Sequence, residues 1–482
     1  VSGAESAQDR WSSPQGNVTG LGIVASYSLR FWSLVIGLGL VAGLSAGLLV
    51  LLLRLVERLT FGDKHRYSII AMAAAAPDWR RITALMAASL ILLAGLWALR
   101  NHDSESTDVP DALWLRSGKL ALFPSLARGL LSIVTVGMGV SLGREAAPQL
   151  FGAAVASRVA EWAELPLWQR RLLVASGAGA GFGAVYNVPL GGSLFALEVL
   201  LGTIALPLVL PAVLMAVTAT AVTWIFLGHG VIYQVAADRF SPSQLVFAVI
   251  MGPVIGLVAT GWTRVISVAH RHRPHGLWRW LAPPAAFGAL GLLSLQYPQL
   301  LGNGRGLAQL AIVGNLSLGL LVVLLILKPI VTTACLASGA PGGLFTPTFA
   351  FGVLLAGAAG AAWGHVWHGS VPGAYALIGG GAFLAAAMQG PLSGVVLIVE
   401  LTGHLNSLVV PTLISVVEAT VLSRKLGAAS IYSARLGPDA ALQTSPTANA
   451  ASAATIEALD GGLPPTPTPT LTPPATEHPS PR

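Results

Sequence analysis

Long apolar stretches broken by short polar knots set the pattern along this chain. Runs close to the roughly 20 residues a helix needs to span a bilayer occupy positions 31–53, 82–99, 173–200, 204–227, 245–268, 307–327 and 374–399. In lipid every backbone polar group must be satisfied within the protein, so single runs of this length predict helices. Other apolar segments are shorter, and 55 glycines with 31 prolines predict tilted, interrupted helices in a thick bundle. One polar knot lies inside an apolar region: Gly143-Arg144-Glu145-Ala146-Ala147-Pro148. Ionisable groups cost roughly 2.5–3.5 kcal/mol each at the bilayer centre, which makes this Arg-Glu pair a candidate for function.

With 54% hydrophobic and only 10% charged residues, against about 25% charged in a soluble domain, the chain reads as an all-α integral membrane protein in a lipid bilayer. The net charge of +7 gathers in loops such as Arg80-Arg81 and the stretch 270–279 with its three histidines. That is the signature of a membrane-proximal basic surface, and no nucleic-acid partner is expected. The single cysteine, Cys335, excludes an internal disulfide and a thiolate metal cluster; neither a metal site nor a cofactor is expected. Residues 1–24 form a polar tail without the basic-apolar-small pattern of a signal peptide. Residues 435–482, rich in Pro and Thr, are expected to be disordered.

The chain also matches itself. Pro189-Leu190-Gly191-Gly192 leads to Glu198 nine residues after the proline, and Pro391-Leu392-Ser393-Gly394 leads to Glu400 at the same spacing. Upstream, Gly177 and Gly179 correspond to Gly379 and Gly381, and Pro148-Gln149-Leu150-Phe151-Gly152 corresponds to Pro347-Thr348-Phe349-Ala350-Phe351-Gly352. Three elements agreeing in order indicate a duplication, and duplicated membrane proteins with interrupted segments commonly hold a substrate site between the repeats.

Gly143-Arg144-Glu145 before Pro148 and Gly342-Gly343-Leu344-Phe345-Thr346 before Pro347 both read as helix starts, where proline's missing N–H is harmless. Each start offers free N–H groups and about half a positive charge, so two of them meeting at mid-membrane make an anion site. Neutral amides hold an anion yet let it leave, as a Lys or Arg would not. Glu145 is itself an anion at that mouth: ionised it can fill the site, and protonated or displaced it swings away. A purely structural pair with Arg144 is the plainer reading. Ser106-Thr107-Asp108-Val109-Pro110 reads as a third helix start, either an ordinary N-cap or a hydroxyl aimed at an anion. Tyr432, after the last apolar segment, reads alone as an interfacial anchor.

Taken together these motifs resemble the CLC family of chloride channels and chloride/proton antiporters, across roughly residues 25–435. Gly143-Arg144-Glu145 is similar to its Gly-Arg/Lys-Glu-Gly-Pro motif and Gly343-Leu344-Phe345-Thr346-Pro347 to its Gly-x-Phe-x-Pro motif, while Asn187-Val188-Pro189-Leu190, Pro391-Leu392-Ser393-Gly394 and Tyr432 also fall in place. The resemblance implies a homodimer of about 18 mostly tilted or broken helices per subunit in two inverted repeats, approximately 30–230 and 240–434. It also implies an anion pathway in each subunit and both termini on the cytoplasmic side of the cell's inner membrane. In that frame Glu145 is the gating glutamate and Tyr432 the inner gate, with the central anion site at the Leu344 and Phe345 amides. Thr107 stands for the serine of the family's Gly-Ser-Gly-Ile-Pro motif, and Arg128, 17 residues before Glu145, for a basic position that raises the pathway's potential. The full anion-binding set expected is Thr107, Arg144, Ala146, Leu344, Phe345, Thr346 and Tyr432.

Departures carry their own expectations. Asp108 replaces a glycine beside the anion site and, if ionised there, would repel chloride; it is expected to cap a helix or point away. Ala146 and Ala147 replace Gly-Pro after Glu145. Val199 stands where antiporters commonly place a second glutamate, the internal proton acceptor, and an aliphatic side chain carries no proton. Its neighbour Glu198 is about 100° away around a helix and shares its role with Glu400, so it reads as structural. The expected function is Glu145-gated chloride conduction, channel-like or weakly proton-coupled; the alternative is exchange of chloride for protons by another internal route. A fluoride- or nitrate-selective relative differs only at the site. A membrane-embedded hydrolase on Gly43-Leu44-Ser45-Ala46-Gly47 is the remote reading, since Gly39, Gly43 and Gly47 have the spacing of packed helices. The Pro-rich C-terminal stretch is too short for paired cystathionine-synthase-type regulatory domains.

Overall fold

The computed structural model describes residues 27–62, 68–100, 108–235, 240–367, 371–403 and 408–436. Among the described residues are seventeen α-helices and no β-strand. The first half contains α1 (Leu29–Phe61), α2 (Ile69–Ala75), α3 (Asp78–Ala98), α4 (Val109–Leu115), α5 (Leu122–Gly137), α6 (Ala146–Trp162), α7 (Leu167–Tyr186), α8 (Pro189–Leu194) with a π-helical continuation over Phe195–Leu201, and α9 (Leu206–Leu227). The second contains α10 (Pro242–Arg271), α11 (Trp278–Gln296), α12 (Arg305–Ile312), α13 (Leu318–Ala337), α14 (Phe345–Trp363), α15 (Pro372–Met388), α16 (Pro391–Thr402) and α17 (Val409–Lys425). Six of these, α1, α3, α9, α10, α13 and α14, are long and apolar enough to cross a membrane.

Three of the apolar runs are not single spans. The run 173–200 breaks after α7 at Asn187, which takes a left-handed conformation with φ of 56°. The run 374–399 breaks at Gln389 in the same way, with φ of 60°. Each break comes two residues before a proline that starts the next helix, Pro189 or Pro391. The run 307–327 divides at a turn closed by the bond from the Asn315 amide to the Leu310 carbonyl (2.9 Å). In each case a local turn interrupts a hydropathy pattern that continues through it.

Small residues put two helices at the centre. Leu172 to Tyr186 of α7 and Gly373 to Met388 of α15 are buried without exception. Backbone-to-backbone approach makes this possible: a Cβ added at Gly177 would run into the Gly152 carbonyl of α6. On α1, side chains at Gly39, Gly43 and Gly47 would collide with Thr218, Ala219 and Phe226 of α9, and Thr223 Oγ1 donates to the Gly43 carbonyl at 2.9 Å. Ser45 donates to the Ala42 carbonyl of its own helix. The Gly-x-Ser-x-Gly pattern is thus a packing seam.

The tails expected at 1–24 and beyond 436 lie outside the described residues. Arg435 and Leu436, assigned to the tail by composition, instead belong to the folded part: a short 3-10 turn covers Ser433–Arg435 and Leu436 is buried behind it.

Candidate functional site

Two helix starts meet nose to nose. The Gly143 amide donates to the Gly343 carbonyl at 2.7 Å and the Gly343 amide returns the bond to Gly143 at 2.8 Å. This bridge fixes the N-termini of α6 and α14 against each other, with Glu145 at the N-cap of one and Leu344 at the N-cap of the other. Glycine on both sides of the bridge leaves room for the Glu145 carboxylate, because a Cβ at either position would fall on it.

That carboxylate, on a residue only 1% exposed, crosses from α6 to the start of α14. Its Oε1 accepts from the Phe345 amide at 2.7 Å and the Thr346 amide at 3.4 Å; its Oε2 accepts from Tyr186 Oη at 2.9 Å and Thr346 Oγ1 at 3.2 Å. The hydroxyls of Tyr186 and Thr346 touch each other as well. A buried carboxyl group thus sits on the positive end of a helix dipole among neutral donors, the environment that also suits a free anion.

Arg144 does not lie on this carboxylate. Its guanidinium stacks over the Tyr186 ring, 5.1 Å from the centroid. Tyr186 itself was missed by the sequence reading; the available signal was a polar aromatic at the end of a helix otherwise made of Gly, Ala and Val, immediately before the Asn187-Val188-Pro189 break.

On one side of Glu145 opens a cavity of about 110 Å³, lined in part by Ala146, Gln149, Tyr432, Asp108 and Arg128. Tyr432 is 4% exposed and packs edge-on against Phe195 at 5.2 Å. Arg435 reaches over the Tyr432 ring (5.8 Å) and approaches Asp108 at 3.9 Å. Asp108 corrects its expectation: it occupies the N-cap of α4, but its side chain makes no capping bond and lines the cavity instead. Basic neighbours oppose its charge there. His270 and Arg273 also line the space. The Arg273 guanidinium, just past the end of α10, is pushed down to about 10 by burial and by Arg435, with Asp108 pulling the other way. Thr107 lies outside the described residues.

Val199 is buried in the π-helical turn, against the Gly390 backbone. Glu198 turns away from it to the start of α16, accepting from the Leu392 amide (3.2 Å), the Ser393 amide (2.7 Å) and Ser393 Oγ (2.6 Å). Glu400 answers from the other half, accepting from the Leu190 (3.1 Å) and Gly191 (2.6 Å) amides at the start of α8. Among the described residues no three His, Cys, Asp or Glu side chains are placed to hold a metal ion.

The chain is 31% identical over 406 residues to the H(+)/Cl(-) exchange transporter ClcA of Cronobacter sakazakii, covering 79% of this chain and 84% of that protein. It is 33% identical over 321 residues to the protein of the same name from Citrobacter koseri, covering 64% and 67%. Among solved structures, a slow cyanobacterial Cl-/H+ antiporter superposes with a TM-score of 0.74 over 84% of this chain and 97% of its own, at 20% identity. A CLC-type fluoride/proton antiporter does so with a TM-score of 0.68 at 19% identity, again over 84% and 97%. These two establish the fold: all-α, CLC-type, in two inverted repeats. A family model described as voltage gated chloride channel matches residues 83–424, and with these relatives it shows that the protein belongs to that family, the CLC channels and transporters.

Proposed function

We propose that this protein carries chloride, or a similar small monovalent anion, through a pathway in each subunit that the Glu145 carboxylate closes and opens. The observation that carries the reading is the seat of that carboxylate: a tethered anion on the Phe345 and Thr346 amides occupies the place a mobile anion would take. Displacement by chloride, or protonation, frees the seat. Tyr432 guards the cavity side, and Arg128 raises its potential. The working unit is a homodimer in the cell's inner membrane, both termini cytoplasmic, with the transport domain spanning about 25–434. Thr107 is assigned to the anion-binding set by its place in the motif before Asp108.

Transport is channel-like or weakly coupled to protons. A proton crossing the inner half needs an acceptor or a water chain, and Val199 offers neither. The second reading is exchange of chloride for protons by another internal route, favoured by the relatives, which are named H(+)/Cl(-) exchange transporters.

The test is chloride efflux from liposomes holding the purified protein, with external pH recorded and Glu145→Ala alongside. Chloride flux that leaves pH unmoved, and that persists without its gate in the variant, is the expected result. Proton movement uphill, driven by chloride and abolished in the variant, replaces the first reading with exchange. No anion flux in any form overturns both.

A further inference from the structure

The turn between α10 and α11 sorts its charges to two sides. α10 is long and apolar enough to cross a membrane and ends on His270-Arg271, and α11 begins at Trp278. His270 and Arg273 face inward and line the cavity beside Glu145. Arg271, His272, His275 and Arg279 are exposed on the outside. Large apolar side chains stand among them, Leu277 at 70% and Trp278 at 69% exposure. In water such exposure is costly, whereas tryptophan beside arginine at the end of a spanning helix is the pattern of the membrane–water boundary.

A second element adds to this surface. Arg264 of α10 donates through Nη2 to the Leu426 carbonyl at 2.8 Å, which holds the end of α17 against α10. The last turn of α17 brings Arg424 and Lys425, both exposed. Little negative charge offsets these cations: no Asp or Glu occurs between Asp238 and Glu400, and Glu418 lies about two turns back along α17. Asp108 is turned to the cavity, toward Arg435 at 3.9 Å. Arginines elsewhere on the surface are matched, Arg116 with Asp111 at 3.4 Å and Arg158 with Glu161 at 3.0 Å. A basic surface poor in carboxylates and flanked by tryptophan complements the negative headgroups of phospholipids.

We propose that the α10–α11 turn and the adjoining end of α17 form a docking surface for the phosphate headgroups of anionic phospholipids, with Leu277 and Trp278 entering the acyl boundary beside them. Free phosphate or a soluble acidic segment would meet the same cations but leave Leu277 and Trp278 in water, so lipid is the occupant that uses both features. Docked headgroups hold from outside the segment whose inner side carries His270 and Arg273 to the cavity. The surface does not depend on which ion the pathway carries.

The experiment titrates purified full-length protein in an uncharged detergent with phosphatidylglycerol, and separately with phosphatidylcholine and inorganic phosphate, reading affinity from the rise in the unfolding midpoint. Wild type is expected to bind phosphatidylglycerol more tightly than phosphatidylcholine, and less so at high salt. Affinity for phosphatidylglycerol should fall about fivefold in Arg271→Gln and about twenty-five-fold when Lys425→Gln is added, the weight of one and two basic residues at an anionic surface. The single variant keeps the test open should the double one not fold. Arg116→Gln with Arg158→Gln removes the same charge from matched pairs and should change affinity less than twofold. Equal binding of the two lipids by wild type, or wild-type affinity in a folded Arg271→Gln protein, overturns the proposal. A loss as large in the Arg116 and Arg158 control refutes a defined surface, and an equal midpoint rise with inorganic phosphate refutes lipid as its occupant.

Discussion

Neutralising Glu198 separates a structural clasp from a proton relay. In Glu198→Gln one carboxylate oxygen becomes an NH2 group, which then faces N–H and O–H donors. The two bonds at risk are the Ser393 amide at 2.7 Å and Ser393 Oγ at 2.6 Å. Hydrogen bonds to charged groups contribute about 1.5–3 kcal/mol each, and a negative charge at a helix start adds about 0.3–1 kcal/mol. Because Glu198 is only half-buried and glutamine keeps one acceptor, the expected net loss is about 2 kcal/mol. The assay is thermal unfolding in detergent, followed by size exclusion, beside liposome flux with pH recording. Glu400→Gln is the matched control, since Glu400 makes the mirrored clasp on α8. Both variants should lose stability by similar amounts and leave the ratio of proton to chloride movement at its wild-type value. A Glu198→Gln protein that melts like wild type, or one that alone changes proton movement, refutes the clasp.

Two other substitutions probe the site through its supports. Gly343→Ala places a Cβ on the Glu145 carboxylate, and the flexible side chain yields before the bridged backbone does; chloride efflux should rise toward that of Glu145→Ala, and an unchanged or reduced rate in a folded protein counts against the seat. Lys328→Met removes a cation that is 1% exposed and whose Nζ donates at 2.9 Å to Ser141 Oγ and to the Leu300 and Gly302 carbonyls. Two buried carbonyls are left without their donor, so thermal unfolding should report a loss of about 2–4 kcal/mol.

The duplication and both helix starts were legible because proline and glycine act locally: Pro148 and Pro347 fit best in the first turn of a helix, and Gly143 and Gly343 suit a close approach. The breaks at Asn187 and Gln389 were not, since a left-handed residue other than glycine leaves no mark in hydropathy. Glu198 and Glu400 announced a shared role through their spacing, but which helix start each one closes depends on how the halves cross. Asp108 was misjudged for a related reason. Its place before Val109-Pro110 fixes the N-cap position, while Arg435, more than three hundred residues away in sequence, fixes where the side chain goes. Lys328 lay unremarked just past the end of an apolar run, because the carbonyls that accept from it come from a distant turn.

What separates the cations from the anion seat bears on the speed of transport. Arg144 is adjacent to Glu145 in sequence yet lies over the Tyr186 ring, and Lys328 is held by carbonyls and Ser141 behind the loop that leads to Gly143. The groups that reach the Glu145 carboxylate, the Phe345 and Thr346 amides and the Tyr186 and Thr346 hydroxyls, are each neutral. A full positive charge 4 Å from an anion would add about 4 kcal/mol at an effective dielectric constant near 20. That would slow release by about a thousandfold. Keeping the basic side chains one layer back preserves their long-range attraction, which falls slowly with distance inside the protein, without lengthening the stay of any single ion. Glu145 gains from the same arrangement: a carboxylate held by neutral donors can be exchanged for chloride, whereas one locked to an arginine would stay.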